Sequence, residues 1–217
     1  MYELPLFPLN LVLFPGMPLN LHIFEERYKQ MMHDCQAKGQ PFGVVLIRKG
    51  AEAGGKLAVP FDFGCTAQIT EIEPLQEGSF NLTGIGQDRF RIHSLRYDRP
   101  YLVGIVDDQP LLPGIAQDLP DLEQSLRPWL EKYIQIIAQG KDVGDTLARI
   151  PHDPMVVAYL AAVILQIPAH QKQHFLEIGD CANLLAALND AYRREVGIIR
   201  RIFKTMPPIG GGHFSRN

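Results

Sequence analysis

The sequence lacks several features that mark particular classes of protein. It has only three cysteines, Cys35, Cys65 and Cys181, and none of them belongs to a CxxC or CxxH pair. Thiols so few and so scattered argue against a disulfide framework and a structural zinc site, and they predict a reducing, cytoplasmic location. The formal net charge is only −3, so the chain has no overall basic excess. Binding to nucleic acid would therefore need a local basic patch.

The sequence also lacks a secretory or membrane-spanning segment. Its apolar N-terminus has no basic stretch and carries prolines at positions 5, 8, 15 and 18, which would break a helical signal sequence. The longest apolar run, residues 155–167, is interrupted by Gln166 and is shorter than the roughly 20 residues that cross a bilayer. We therefore predict a soluble globular protein without membrane contact.

The first half of the chain has the pattern of short strands. Leu19, Leu21 and Ile23 alternate with residues of the opposite face, which is the period-two pattern of a half-buried strand. Further strands are predicted at 3–7, 11–14, 42–47, 65–72, 81–85, 89–95 and 102–106. Apolar residues recur at helical spacing only over 24–37, where they precede Gly39. This order predicts an antiparallel β-barrel with one inserted helix.

The second half of the chain has helical periodicity. One apolar face repeats over residues 122–137, with Pro128 inside it as a late start or a kink. Asp153 and Pro154 are a typical N-cap pair for a helix that reaches residue 167 and is apolar nearly all round, as in the central helix of a bundle. Two more helices are predicted at 169–177 and from 180 to about 203.

These patterns predict an α+β fold in three parts. The barrel is predicted over residues 1–115 and a C-terminal helical bundle over 116–205, because a segment rich in proline and aspartate separates the two patterns. Residues 206–217 contain prolines and three consecutive glycines and are predicted to form a flexible tail.

Particular segments add a resemblance to a known family. They are LPLFPL at 4–9, VLFPGMPL at 12–19, FEERY at 24–28, GCTAQI at 64–69, GIGQDRFRI at 84–92, IPHDP at 150–154 and IPAHQKQ at 167–173. In this order they resemble the N-terminal, substrate-binding domain of Lon proteases, over nearly the whole chain. The resemblance implies a PUA-like β-barrel packed on a helical subdomain, with a Gly-x-x-Arg-Phe hairpin at 86–90, and a role in engaging substrate polypeptides.

The sequence departs from a complete Lon protease. It has no Gly-x-x-x-x-Gly-Lys-Ser/Thr phosphate loop, and 217 residues leave no room for the family's serine-lysine protease domain. The resemblance therefore implies a stand-alone, non-enzymatic recognition module that needs no cofactor or metal. Its expected partners are unfolded or extended polypeptide segments. A role as adaptor to a separate protease and the formation of a homodimer are left open.

The residues expected to contact such segments are Phe14, Met17, Phe24, Tyr28 and Arg89, all within segments that carry the resemblance. Methionine and aromatic side chains make adaptable, weakly specific contacts, and strand edges add main-chain hydrogen bonds to an extended peptide. For each of the apolar residues taken singly, packing in the core is favoured over binding. An uncovered apolar surface is expected at the junction of barrel and bundle.

Other motifs carry weaker alternatives. Gly84 and Gly86 resemble a dinucleotide loop, but a strand follows them, so a tight hairpin or a bulge is favoured. His170 and His174 lie four residues apart on a predicted helix, but the glutamate of a zinc-binding helix is missing, so two exposed polar residues are favoured. No serine lies in a Gly-x-Ser-x-Gly elbow.

Two alternative functions remain open. The fold could serve a small-molecule site or an enzyme, since fold does not determine function. The last helix could bind RNA through its basic end, formed by Arg193, Arg194, Arg200, Arg201 and Lys204. Favourable interaction of these cations with the helix dipole, on a solvated face, is the favoured explanation, because no aromatic residues interleave with them in sequence to stack on bases. Nucleic acid is therefore disfavoured as a partner.

Overall fold

A computed structural model describes residues 1–50, 58–139 and 141–205, so the tail predicted over 206–217 lies outside the described residues. The strands are β1 (Tyr2–Leu9), β2 (Pro18–Ile23), β3 (Phe42–Lys49), β4 (Val59–Pro74), β5 (Phe80–Arg96) and β6 (Leu102–Asp108). The α-helices are α1 (Glu26–Lys38), α2 (Leu119–Ile137), α3 (Gly144–Ala148), α4 (Pro154–Ile164), α5 (Ala169–Glu177) and α6 (Cys181–Thr205). The fold is α+β, as predicted, with α1 inserted among the strands.

The six strands form one sheet in the order β2-β5-β4-β3-β1-β6, and β5 also pairs with β6. Five strands therefore form a closed ring of pairings, and β2 is attached to the ring only through β5. All pairs are antiparallel except β1 with β3, which are parallel. The predicted antiparallel barrel therefore contains one parallel pair, because β2 and α1 intervene between β1 and β3 and return the chain in the same direction.

β5 is a single long strand where the sequence predicts two. Between Gly86 and Arg89 it carries two residues opposite one residue of β4, a bulge that shifts the register. The main-chain N–H of Asp88 donates to Thr66 Oγ1 at 3.0 Å and holds the bulge. The Gly-x-x-Arg-Phe segment is therefore the bulge of a continuous strand, and the hairpin that the resemblance implied at this position was wrong.

Residues 11–14, predicted as a strand, belong to no strand of the sheet. Their side chains separate into two cores: Leu13 packs among the strands, whereas Val12 and Phe14 pack against the helices. A segment buried on both sides is a continuous apolar run, the same sequence pattern as a strand buried on both faces, and for this reason the prediction failed.

The helical half follows the predicted order, with α5 at its predicted bounds. α2 continues through Pro128, and α4 ends at Ile164, three residues before the predicted end at residue 167. The short α3 was not predicted. The long α6 packs against α2, α4 and α5, so it occupies the centre of the bundle that the sequence assigns to α4.

Three clusters of buried apolar residues stabilise the fold. One lies among the helices and also includes Val12, Phe14 and Leu46 from the strand half. A second joins α1 to the sheet, with Met31 and Met32 fully buried, and a third fills the opposite side of the sheet. The predicted boundary at residue 115 falls between the end of β6 and the start of α2. Division into separately folding parts stays a prediction.

Within the described ranges, no helix combines the length and the apolar character that crossing a membrane requires.

Candidate functional site

An apolar groove of about 370 Å³ lies where the β1–β2 connection meets α4. It is lined by Pro15, Gly16, Met17, Pro18, Val156, Tyr159, Leu160 and Val163. The strand half contributes one wall and the helical half contributes the other. An uncovered apolar surface at this junction is what the sequence predicts.

The strand-side wall is a tight turn. Met17 N–H donates to the carbonyl oxygen of Phe14 at 3.0 Å, which closes a four-residue turn. Pro15 presets φ at the second position of the turn, and Gly16 follows with φ of 77°, a value that favours glycine and is typical of a type II turn. Phe14 is fully buried in the helical core and anchors the turn. Met17 remains partly exposed beside the groove.

The turn is fixed to β5 at Gly86. Gly16 N–H donates to the Gly86 carbonyl, and Gly86 N–H donates to the Met17 carbonyl, both at 2.9 Å. A Cβ atom at position 86 would lie 2.2 Å from the Phe14 carbonyl oxygen. Only glycine allows the two backbones to approach so closely. The glycine of the GIGQDRF segment therefore positions the groove wall.

The helical wall is one face of α4. Asp153 caps this helix by accepting from the N–H groups of Met155 and Val156, at 2.9 and 3.1 Å. The face toward the bundle is fully buried and consists of Val157, Ala158, Ala161 and Ala162. The other face is also apolar and lines the groove. Val156 on that face is 48% exposed, so apolar surface is left in contact with solvent.

Tyr159 is the ionisable side chain of the groove lining. Burial raises the pKa of its phenol to about 12, so the hydroxyl stays neutral at physiological pH. The groove therefore presents apolar carbon and one neutral hydroxyl.

Arg89 lies behind the groove and joins the two halves of the molecule. It is 3% exposed, and its guanidinium donates to the carbonyl oxygens of Gln109 at 2.9 Å, Leu176 at 3.0 Å and Ile178. Leu176 and Ile178 stand at the C-terminal end of α5, where helix carbonyls carry partial negative charge. Burial lowers the pKa of Arg89 from its usual value.

The five residues predicted to contact polypeptides lie in three different settings. Met17 lines the groove. Phe14 and Arg89 are buried, the first as an anchor of the turn and the second as the link to α5. Phe24 and Tyr28 lie together at a second, smaller cavity beyond the other end of β2. Of the five residues, only Met17 lines the first cavity. The roles of all five in binding stay predictions.

The second cavity has a volume of about 190 Å³ and lies between the ends of β1 and β2 and the start of α1. Phe7 and Tyr28 form its inner wall, with their rings stacked at 4.0 Å between centroids, and both are buried. Phe24 stands at its edge, 57% exposed and stacked on His22 at 5.8 Å.

A third, more polar groove separates α5 from α6. It has a volume of about 630 Å³, and His170, His174, Arg194 and Glu195 are among its lining residues. The two histidines are exposed, as predicted. Among residues 1–50, 58–139 and 141–205, no three His, Cys, Asp or Glu side chains are close enough together to hold a metal ion.

The basic end of α6 has one aromatic neighbour that the sequence pattern does not reveal. The Arg193 guanidinium lies over the ring of Trp129 in α2, 5.8 Å from its centroid. This cation–π contact packs one of the five basic residues against α2, within the helical bundle.

Sequence reasoning missed the α4 side of the groove. The signal is present in the sequence, because the helix that begins at Pro154 is apolar nearly all round, but that pattern alone predicts complete burial at the centre of a bundle. A helix with more apolar surface than its neighbours cover exposes the excess, and here the excess is the groove face.

Comparisons with known proteins identify relatives of this architecture. The family model of the ATP-dependent protease La (LON) substrate-binding domain matches residues 3–193. Lon protease 2 of Myxococcus xanthus is 25% identical over 199 residues, which are 91% of this chain and 24% of that protein. A Lon protease of Anaeromyxobacter dehalogenans is 25% identical over 176 residues, 80% of this chain and 21% of that protein. The chain thus spans about a quarter of the length of these curated relatives.

Solved structures show the same architecture. The crystal structure of a Lon N-terminal domain protein from Xanthomonas campestris covers 95% of this chain and 100% of its own, with a TM-score of 0.63 and 25% identity. The N-terminal domain of a Mycobacterium avium complex Lon protease covers 88% of this chain and 98% of its own, with a TM-score of 0.69 and 16% identity. The second likeness concerns the fold alone.

Proposed function

The chain belongs to the LON substrate-binding domain family, and on that premise we propose that it binds unfolded or extended polypeptide segments in the groove between the β1–β2 turn and α4. The proposal assigns no covalent chemistry to the site. Recognition of apolar segments, which folded proteins bury, is the activity that such a surface supports best.

The observation that carries the proposal is the second apolar face of α4. Val156, Tyr159, Leu160 and Val163 lie on the side of the helix away from the bundle, and their neighbours cover them only in part. Exposure of contiguous apolar surface lowers solubility, so a persistent patch of this kind usually marks a binding site. Across the groove, Met17 supplies a flexible side chain that adapts to different partners.

The lining favours a polypeptide over the small-molecule or enzymatic alternative. Enzyme sites combine a pocket with several convergent polar groups, whereas the side chains that line this groove offer a single polar group, the phenol of Tyr159. An extended segment with bulky apolar side chains matches such a lining.

The proposed setting is protein quality control in the cytoplasm, with delivery of bound segments to a protease. The three cysteines are free and buried, which suits a reducing compartment. Binding in the groove is common to delivery to a protease domain in the same chain and to delivery to a separate protein.

The test is a titration with a permanently unfolded polypeptide, reduced and carboxymethylated, followed by fluorescence anisotropy. Val156→Glu places a charge in the groove on an exposed position of the first turn of α4, where an acidic residue is compatible with the helix. We expect affinity to fall at least about tenfold, because a charge in the centre of an apolar contact costs more than about 1.4 kcal/mol.

Ile198→Glu is the matched control. Ile198 is 49% exposed, close to the 48% of Val156, and lies on α6 in the groove beside α5. This variant should bind as the unmodified protein does. Loss of binding in Ile198→Glu with full binding in Val156→Glu would move the site to the other groove and overturn the proposal.

A further inference from the structure

β2 connects the apolar groove to the second cavity. Its first residue, Pro18, lines the groove, and its last residues, His22 and Ile23, line the second cavity together with Phe24. At the rise of an extended chain, the six steps from Pro18 to Phe24 span about 20 Å. Two separated apolar sites are therefore joined by one strand.

The outer edge of this strand has no strand partner. Among the described residues β2 pairs with β5 alone, and it stands at the end of the strand order. Gly86 donates to the Met17 carbonyl at 2.9 Å, and main-chain groups alternate in direction along an antiparallel strand. The main-chain groups of Leu19 and Leu21 consequently face β5, and those of Asn20 and His22 face outward.

These outward groups specify the chemistry of what can lie along them. Within residues 1–50, 58–139 and 141–205, neither Asn20 nor His22 makes a main-chain hydrogen bond to main chain outside the β2–β5 ladder. Pro18, which lacks an N–H, occupies the first outward position, as is common on edge strands. An N–H and a C=O repeated at every second residue match the main chain of another extended strand.

We propose that the polypeptide lies along the outer edge of β2 as an added strand, with one apolar side chain in the groove and a second in the cavity beside Phe24. The two side chains are then about six residues apart, an even number that puts them on the same face of the added strand. This inference rests on the function proposed above and adds the conformation and the spacing of the bound segment. Main-chain pairing supplies affinity that is independent of sequence, and the two cavities select for apolar residues.

The first test uses synthetic peptides in which two phenylalanines are separated by different numbers of otherwise polar, extended residues. Affinity measured by anisotropy should be highest at a separation of about six and fall at least about fivefold at odd separations of similar length, because an odd number turns one ring away from its cavity.

The second test removes main-chain donors from the peptide and leaves the protein unchanged. Two peptides are compared, one N-methylated at the even-numbered and one at the odd-numbered residues between the two phenylalanines. One of them should bind more weakly by about fivefold to tenfold per methylated donor and the other nearly as well as the unmethylated peptide, since only one set of N–H groups faces β2. Equal effects of the two patterns would contradict strand addition.

The third test concerns the second cavity. Phe24→Ser should weaken the two-phenylalanine peptide about tenfold and leave a peptide with a single phenylalanine unchanged, because only the longer contact reaches the cavity. Tyr97→Ser is the matched control, since Tyr97 and Phe24 are both 57% exposed. It should change neither affinity.

The outcomes separate this inference from the proposed function. Binding that depends on Val156 but is insensitive to spacing, to the methylation pattern and to Phe24 would overturn strand addition and leave the groove as the site. Failure of every peptide and of the unfolded polypeptide to bind would overturn both. The protein could instead form a dimer that peptides do not dissociate and that is abolished when Asn20 is replaced by a charged residue. That result would assign the edge to a second copy of the chain and would overturn the inference.

Discussion

Replacement of Arg89 by methionine tests how the two halves of the molecule are held together. The Arg89 guanidinium donates to three main-chain carbonyl oxygens, those of Gln109, Leu176 and Ile178. Methionine fills a similar volume but donates nothing. The Leu176 carbonyl would then stay buried without this donor, and the carbonyls of Gln109 and Ile178 would lose it at part-buried positions.

The expected cost is large relative to the stability of a domain. An unsatisfied buried polar group costs about 1–3 kcal/mol, and a hydrogen bond to a charged group contributes about 1.5–3 kcal/mol. The variant no longer buries a charged guanidinium, which recovers part of this cost. We therefore expect the free energy of unfolding to fall by about 3–4 kcal/mol. For a chain of 217 residues this corresponds to a decrease in Tm of about 10 °C.

The assay is thermal and urea unfolding followed by circular dichroism, with Arg91→Met as control. Arg91 lies two residues further along β5, is exposed and has its guanidinium over the Phe63 ring, 5.8 Å from the centroid. Its replacement should cost less than about 1 kcal/mol. Equal unfolding curves for the two variants would refute the structural role of Arg89. Loss of polypeptide binding by a fully folded Arg89→Met would support the direct contact that the sequence predicts.

Three further predictions concern packing and reactivity. Gly86→Ala should lower the free energy of unfolding in urea by more than about 1 kcal/mol, because the added Cβ would lie 2.2 Å from the Phe14 carbonyl oxygen. Gly197→Ala, whose Cβ would have nothing within 4 Å, should raise it by about 0.5–1 kcal/mol. A Gly86→Ala variant more stable than Gly197→Ala would contradict the close approach. Leu188 is fully buried, as predicted, and Leu188→Ala should lower the free energy of unfolding by about 2–5 kcal/mol, so an unchanged melting curve would mean that the face of α6 is misassigned. Burial raises the pKa of the three thiols to about 11 or 12. The native protein should therefore resist alkylation by iodoacetamide near pH 8 and react as the pH approaches 11 or on unfolding. Fast labelling of the folded protein at pH 8, followed by mass spectrometry, would contradict their burial.

Much of the fold follows from local patterns in the sequence. α5 was placed at its observed bounds, and Gly39 ends α1 with φ of 62°, because helix signals are local. The errors have long-range causes. The bulge at Gly86 depends on Thr66 across the sheet, and the chain at 11–14 is held between two cores rather than in a ladder. Single-sequence patterns carry no information on which distant segments meet.

The candidate site was predictable in location but not in composition. Met17 and the junction of the two halves were predicted, since a proline-glycine turn with apolar neighbours marks an exposed corner. Val156 and Leu160 were not, because periodicity reports that a helix has two apolar faces without reporting which face is covered. Arg89 was identified by resemblance, and only the structure shows that its guanidinium reaches the carbonyls of α5.

The most direct measurement of polypeptide binding in the groove uses the methionine methyl groups as probes. In a sample labelled with 13C at the methionine methyls, the Met17 signal should shift progressively and saturably as unfolded polypeptide is added, because Met17 lines the groove. The signals of Met31 and Met32, which are fully buried residues of α1, should stay in place. Binding of the polypeptide with an unmoved Met17 signal would contradict the account.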